Sequence, residues 1–180
     1  AKLTKPLVEK YPGIMFSVHA STAAEIPSLL ANFEIEAGIT YLDSEPAAPV
    51  VSVPLYTERS CLVTADSSLQ KKLKAISWSR AARLPLCLLS SDTHVRRLID
   101  PHLARANVRP VLESNSIQLL FSHIREGNWS SILPLSLTKT SLTAPIRAIP
   151  LVEPDDRRGV GLVAAQREPK TPMVAALLDE

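Results

Sequence analysis

Three short segments rich in serine, threonine and aspartate have the residue types that bind small anions and polar ligands. They are Ala20-Ser21-Thr22, Ser90-Ser91-Asp92-Thr93 and Ser114-Asn115-Ser116, and each precedes a predicted helix. Backbone N–H groups at a helix start have no partner within the helix, and the helix dipole favours negative charge there. Taken singly, each segment is more simply a helix cap. Binding is indicated only if several converge at the carboxyl ends of neighbouring strands.

Other residues give weaker indications of chemistry. The four histidines, His19, His94, His102 and His123, lack cysteine or carboxylate neighbours at metal-ligand spacing, although His94 lies near Asp92. The sequence therefore predicts no metal site, and it gives no indication of a cofactor. No nucleophile elbow, phosphate-binding loop or dinucleotide fingerprint occurs, so we expect no catalytic residues.

The composition is that of a globular chain that can bury a sizeable core. The chain has 180 residues, of which 46% are hydrophobic and 21% charged, and its formal net charge is +2. So small a charge argues against nucleic acid or a membrane surface as the main partner of this segment. Cys61 and Cys87 lie in apolar runs, which predicts buried reduced thiols and a reducing cytoplasm. No apolar run reaches the ~18 residues of a membrane span.

The most informative stretch is residues 114–134, SNSIQLLFSHIREGNWSSILP. Ser114 and Ser116 are candidate N-caps, and the apolar residues that follow recur at helical spacing, which places them on one helix face. They are Ile117, Leu120, Phe121 and Ile124. Gly127 should end the helix, because glycine adopts a positive φ without a Cβ penalty. A short buried strand at Ile132 and Leu133 and a helix starting at Pro134 should follow.

The remaining pattern alternates strands with helices, which predicts an α/β fold with mainly parallel sheets. Predicted strands are residues 14–19, 35–42, 50–56, 60–65, 86–89, 109–113, 146–150 and 159–165. Predicted helices are residues 3–11, 23–33 after a cap at Ser21 or Thr22, 69–73, 95–106 after a cap at Asp92 or Thr93, 135–140 and 172–180. Trp78 and Trp129 are expected to pack against the core.

Several segments, in this order, resemble the effector-binding domain of LysR-type transcriptional regulators. They are PLVEKYPGIMFSV, FEIEAGITYL, VPLYTERSCLVTADSSL and ESNSIQLLFSHIREGNWSSILP. The resemblance covers nearly the whole chain, and its clearest signature is HIREGNWSSILP. One departure is Trp129, which stands where the family usually has a second glycine. Either the local backbone differs there or Trp129 shapes the effector pocket.

The resemblance implies a two-lobed fold like that of periplasmic binding proteins, each lobe a mainly parallel sheet flanked by helices. Lobe I would comprise residues 1–58 and 161–180, and lobe II residues 59–160. A first strand of lobe I and a DNA-binding winged helix-turn-helix would lie upstream of this chain. A small metabolite would bind in the cleft between the lobes.

Carried over by position, the family's ligand-binding loops match the helix starts already described. The implied effector-binding residues are Ser21, Thr22, Ser91, Asp92 and Thr93, with Ser116, Ile132 and Pro134 as further candidates. Asp92 places negative charge at a helix start, which argues against a simple carboxylate ligand there.

The resemblance implies a non-enzymatic, cytoplasmic sensor whose partners are a small-molecule effector and further copies of itself. Pairing would use helices such as residues 23–32 and 116–126, giving a dimer and, in the full-length protein, a tetramer. DNA and RNA polymerase would be contacted through the full-length protein, and no membrane would be involved. One alternative is an exported solute-binding protein of a transporter. Another is an enzyme on the same scaffold.

Overall fold

The computed structural model describes residues 3–43, 49–141, 143–167 and 169–179. The helices are α1 (Thr4–Lys10), α2 (Ile26–Ala31), α3 (Ser67–Lys72), α4 (Trp78–Ala81), α5 (His94–Leu103), α6 (Ile117–Arg125), α7 (Leu135–Ser141) and α8 (Pro172–Asp179). The strands are β1 (Ala37–Tyr41), β2 (Val50–Thr64), β3 (Ile76–Ser77), β4 (Cys87–Leu89), β5 (Leu112–Ser114), β6 (Ser130–Pro134), β7 (Arg147–Val152) and β8 (Arg157–Ala165).

The chain divides into two compact units. Unit 1 comprises Ala1–Tyr56 and Gly159–Glu180, and unit 2 comprises Thr57–Arg158. The chain passes from one unit to the other within β2 and again within β8. The predicted strands at residues 50–56 and 60–65 are therefore a single strand of 15 residues, because the charged step between them stays in the extended conformation.

Unit 1 is built on the antiparallel pair of β1 and β8, from Ala37 opposite Ala164 to Tyr41 opposite Val160. Helix α2 packs Ile26 and Leu30 against Val163. Gly161 allows a close approach, because a Cβ there would lie 2.7 Å from the carbonyl oxygen of Val53.

The strand predicted at residues 14–19 is not formed. In the described structure these residues have no regular secondary structure, and Met15 and Val18 are 89% and 81% exposed. Alternating apolar residues favour an extended chain, but a strand also needs a backbone partner. Ile39 on β1 is likewise 53% exposed.

Unit 2 has sheet strands buried on both faces. Along β2, Cys61 and Val63 pack in one hydrophobic cluster and Leu62 in another, as the two-residue period of a strand requires. Helices α4 and α5 contribute Trp78 and Ile99 to the cluster around Leu62. Helix α6 contributes Leu120, Phe121 and Ile124 to the other cluster.

The sheets are mixed rather than mainly parallel. Strand β2 runs antiparallel to both β6 and β7, whereas β3 pairs with β7 and β4 with β5 in parallel. Parallel pairing follows where a helix connects neighbouring strands, as α5 connects β4 to β5. The long strands that pass between the units interrupt that pattern.

The helix predicted within residues 114–134 is confirmed as α6, Ile117–Arg125. The Ser116 hydroxyl oxygen accepts a hydrogen bond from Leu119 N at 3.3 Å, Leu120 and Ile124 are fully buried, and Gly127 adopts a φ of +86°. Pro134, however, is the last residue of β6, opposite Ser60, and α7 starts one residue later. It lies on a strand because the ladder of β6 continues to that point.

The two cysteines are buried reduced thiols, as predicted. Burial raises the pKa of Cys61 to about 12 and that of Cys87 to about 11, from an ordinary value of 9.0. The folded protein keeps both protons at a pH where the unfolded chain has lost them.

We therefore expect stability to be insensitive to these thiols below pH 9 and to fall as the pH rises above 9. The decrease should approach about 1.4 kcal/mol per pH unit for each thiol, up to its folded pKa. Urea unfolding between pH 8 and 11, compared with the variant Cys61→Ala/Cys87→Ala, isolates this contribution from other titrating groups. Equal slopes for the two proteins would contradict the prediction.

Candidate functional site

The carboxyl ends of three strands lie together in unit 2. Strands β4 and β5 are parallel, with Leu89 opposite Ser114, and a parallel bridge joins Leu86 to Ser130 at the start of β6. Helices α5, α6 and α7 each begin just after one of these strands. We call the three connections, residues 90–93, 114–116 and 134–135, the carboxyl edge of unit 2. Two of the three polar segments singled out in the sequence therefore converge.

The connection after β4 is held by its own hydroxyl and backbone groups. The Thr93 hydroxyl donates to the carbonyl oxygen of Ser90 at 2.8 Å and accepts from Arg96 N at 3.3 Å, so Thr93 is the N-cap of α5. Ser91 and Asp92 are exposed. The Thr93 side chain is thus committed to the loop, whereas Ser91 and Asp92 are accessible to a ligand.

The connection after β5 lies beside it. Ser90 N donates to the carbonyl oxygen of Ser114 at 3.0 Å, which joins the two loops. The Ser114 hydroxyl oxygen accepts from Ser116 N at 3.0 Å, and Ser116 caps α6. Ser116 is exposed, so its O–H can donate to a ligand while its oxygen keeps the cap.

The third helix start already has an acceptor. One carboxylate oxygen of Glu58, a residue only 6% exposed, accepts from Ser136 N at 3.1 Å and from Arg59 N at 3.0 Å. Ser136 is in the first turn of α7, where N–H groups lack intrahelical partners. Sequence reasoning missed this role. The only indication of it in the sequence is a single acidic residue within an otherwise strand-like run.

A buried arginine supports the carboxyl edge from within. Arg96 on α5 donates through Nε to Asp100 at 2.6 Å and through a terminal nitrogen to the carbonyl oxygen of Leu89 at 2.9 Å. It also pairs with Glu113 on β5. Burial alone would lower the pKa of Arg96, but hydrogen bonds to Glu113 and Asp100 outweigh it and raise the pKa. Arg96 ties α5 to both β4 and β5.

Two of the predicted site residues face the core instead of the surface. Ile132 has no exposed surface and packs in the cluster that contains Leu62 and Ile149, and Pro134 is buried. Ligand contact through the Ile132 side chain is therefore not supported. A strand buried on both faces has apolar side chains in either direction, so its apolar residues carry no sign of ligand binding.

Ser21 and Thr22 belong to unit 1, where both are exposed. Neither caps a helix directly, because α2 starts only at Ile26, with Pro27 in its first turn. Thr22 N instead donates to a carboxylate oxygen of Glu25 at 2.8 Å. That backbone hydrogen bond lowers the pKa of Glu25.

Trp129 packs at the surface of unit 2. It is partly buried against the cluster around Leu120, and its ring stacks on His123 with centroids 5.0 Å apart. Trp78 is 2% exposed, stacks on His102 and donates its indole N–H to the carbonyl oxygen of Pro154 at 3.1 Å.

In the described part of the chain, no group of three or more His, Cys, Asp or Glu could hold a metal ion. None of its helices has the length and apolarity needed to cross a bilayer.

Comparison with known proteins identifies a family. The family model described as LysR substrate binding domain matches residues 1–180. A probable nitrogen assimilation transcriptional activator of Synechococcus elongatus is 27% identical over 131 residues, which are 71% of this chain and 42% of that protein. The chain therefore spans less than half the length of that relative.

Solved structures share the fold. The reduced OxyR regulatory domain of Pseudomonas aeruginosa superposes with a TM-score of 0.82 at 22% identity, covering 98% of this chain and 87% of that one. The effector binding domain of BenM with its effector benzoate gives 0.78 at 16% identity, with 99% and 82% covered. Full-length CbnR with its target DNA gives 0.76 at 16% identity, with 99% and 62% covered. These matches confirm the two-lobed α/β fold class.

Proposed function

This chain belongs to the LysR substrate binding domain family, and from that premise we propose that it senses a small-molecule effector for a transcription regulator. The observation that carries the proposal is the carboxyl edge of unit 2, where three parallel strands end and three helices begin. Ligands of open α/β sheets bind at such edges. The exposed groups available there include Ser91, Asp92 and Ser116.

The roles of the edge residues follow from their present partners. Ser91 and Ser116 offer hydroxyl groups to an effector, and Asp92 offers a carboxylate. Thr93 is a positioning residue, since both its donor and its acceptor hold the loop. The polarity of these groups favours an effector with hydroxyl or amino groups. We propose Ser21 and Thr22 as the contribution of unit 1, on the basis of their exposure and the family resemblance.

Sensing requires two arrangements of the protein that bind the effector unequally, because only differential affinity shifts an equilibrium. We propose that the two units correspond to the lobes of such a switch. The expected lobes, residues 1–58 with 161–180 and residues 59–160, differ from the units by two residues at each crossing. Unit 1 would be completed by a further strand, which the exposure of Met15, Val18 and Ile39 supports.

The wider partners are those of a longer protein, since the matched relative is more than twice as long as the segment that this chain matches. We propose that it acts as a homo-oligomer in the cytoplasm and reaches DNA and RNA polymerase through a separate DNA-binding module. Full-length CbnR was solved on its target DNA, which supports that arrangement.

The family match favours a regulator over an exported solute-binding protein or an enzyme. An export signal in the gene would support the solute-binding alternative. Turnover of a bound metabolite would support the enzyme alternative.

We expect a native effector to raise the melting temperature of the protein, because it binds only the folded state. A thermal-shift screen of metabolites is the measurement. Ser91→Ala and Thr22→Ala should reduce the shift, since each removes an exposed hydroxyl without removing a helix cap. Thr93→Ala should also reduce it, and should lower basal stability by about 1 kcal/mol through loss of the α5 cap.

Ser122→Ala is the matched control, because Ser122 is an exposed serine within α6 and away from its start. Its response should equal that of the wild type. If Ser91→Ala, Thr22→Ala and Thr93→Ala also responded like the wild type to every active metabolite, the assigned site would be wrong.

A further inference from the structure

Unit 1 contains a small cavity that the proposed sensing site does not use. Its volume is about 140 Å³, close to that of cavities that hold a single six-membered ring. The lining combines an apolar wall with two cations, one carboxylate and a hydroxyl. These residues are Phe33, Ile35, Glu36, Ala165, Arg167, Lys170, Thr171 and Val174.

Phe33 has a backbone conformation that a bulky residue rarely adopts. It follows α2 with a φ of +60°, in a helix end where Phe33 N donates to Leu30 O and Glu34 N donates to Leu29 O. Glycine is the usual residue at this position, since a side chain strains the left-handed conformation. Phe33 is nevertheless 60% exposed, so core packing does not explain its presence.

The exposed ring is covered in part by a cation. The guanidinium carbon of Arg167 lies 3.8 Å from the centroid of the Phe33 ring, a cation–π contact that holds the arginine at the cavity. Lys170 supplies a second positive charge, and Glu36 is the one carboxylate among the lining residues that the structure describes. These described residues therefore carry a net positive charge beside an apolar wall of Phe33, Ile35 and Val174.

The start of α8 also lines the cavity. The Thr171 hydroxyl oxygen accepts from Val174 N at 3.2 Å, and both residues line the cavity. The helix of eight residues adds the positive end of its dipole to the two cations.

We propose that this cavity is a second ligand site, which binds a small monocarboxylate with a branched or cyclic body of four to six carbons. The apolar body packs against Phe33, Ile35 and Val174. The carboxylate pairs with Arg167 and Lys170. Its hydrogen bonds to the arginine fork are charge-assisted and therefore stronger than those between neutral groups. All the lining residues belong to unit 1, and none of them is a residue of the proposed effector site, so the two sites can be tested separately.

The test is a titration of the ¹⁵N-labelled protein with 3-methylbutanoate and with its uncharged isostere 3-methylbutanamide, at constant ionic strength. The carboxylate should give saturable shifts of backbone amide signals at residues 33–36 and at the non-proline residues of 165–174, with millimolar affinity. The amide should bind at least about tenfold more weakly, because it lacks the charge that Arg167 and Lys170 recognise. Equal responses to the two probes, shifts confined to other residues, or no saturation at tens of millimolar would overturn the proposal.

Variants separate binding from folding. Phe33→Gly should abolish binding while leaving the melting temperature unchanged or higher, since it relieves the left-handed strain. Arg167→Gln and Lys170→Gln should each weaken binding by about tenfold. Lys5→Gln removes a positive charge of unit 1 outside the cavity and should bind like the wild type. Undiminished binding by both Phe33→Gly and Arg167→Gln would also overturn the proposal.

Discussion

Replacement of Arg96 by methionine is expected to lower the free energy of unfolding by about 2 to 3 kcal/mol. The Arg96 side chain is 10% exposed and serves three acceptors, on α5, β4 and β5. Methionine has a similar length but no donor, so the carbonyl oxygen of Leu89 loses a charged partner. Asp100 and Glu113 are 43% and 42% exposed and regain water, which keeps the loss below that of a fully buried pair.

Urea unfolding measures this loss, and Arg96→Lys is the conservative comparison. Lysine keeps the charge but not the planar fork, so it cannot serve three acceptors at once and should recover only part of the stability. Glu113→Gln should lose less than Arg96→Met, because the guanidinium keeps its other two partners. A change below about 0.5 kcal/mol for Arg96→Met would show that the buried arginine does not hold the edge together.

Ile132→Ala is expected to lower the free energy of unfolding by about 3 to 4 kcal/mol. Ile132 is fully buried on β6, opposite Leu62 of β2, and the cavity left by truncation lies between strands that cannot collapse onto it. Chemical denaturation is again the measurement. The matched control is Ile39→Ala, on the exposed side of β1, where the same truncation should change stability by less than about 1 kcal/mol.

Ile132 also bears on the binding site. Because its side chain lies in the core, Ile132→Val should cost about 1 kcal/mol of stability and leave the thermal shift of an effector unchanged. Direct contact with the effector would instead appear as a reduced shift in the valine variant.

Features that depend on residues close together in the sequence could be predicted from the sequence alone. Thr93 and Ser116, each one of two candidate caps in the sequence, cap α5 and α6. The glycine stop at Gly127 and the buried thiols were predicted and are present. Each depends on residues within one or two turns of the chain, or on an apolar run. The family resemblance was confirmed because it rests on the order of such local segments.

The missed features depend on residues distant in the sequence. Glu58 acts on a helix that begins 77 positions later, and Arg96 acts on Glu113 across a parallel pair of strands. Neither contact produces a periodic pattern in the sequence from which it could be predicted. The strand predicted at residues 14–19 fails for a similar reason. Its apolar residues alternate as in a strand, but nothing within the segment reveals whether a partner strand lies alongside.

The carboxylate of Glu58 gives the carboxyl edge a built-in competitor. An anionic metabolite that approaches the start of α7 meets an N–H group already bound to a carboxylate of the same chain. That tethered group is present at an effective concentration of at least millimolar order, and a free anion must exceed it to take its place. Weakly binding acids are thereby disfavoured at the Ser136 N–H group, and discrimination against them there requires no steric barrier.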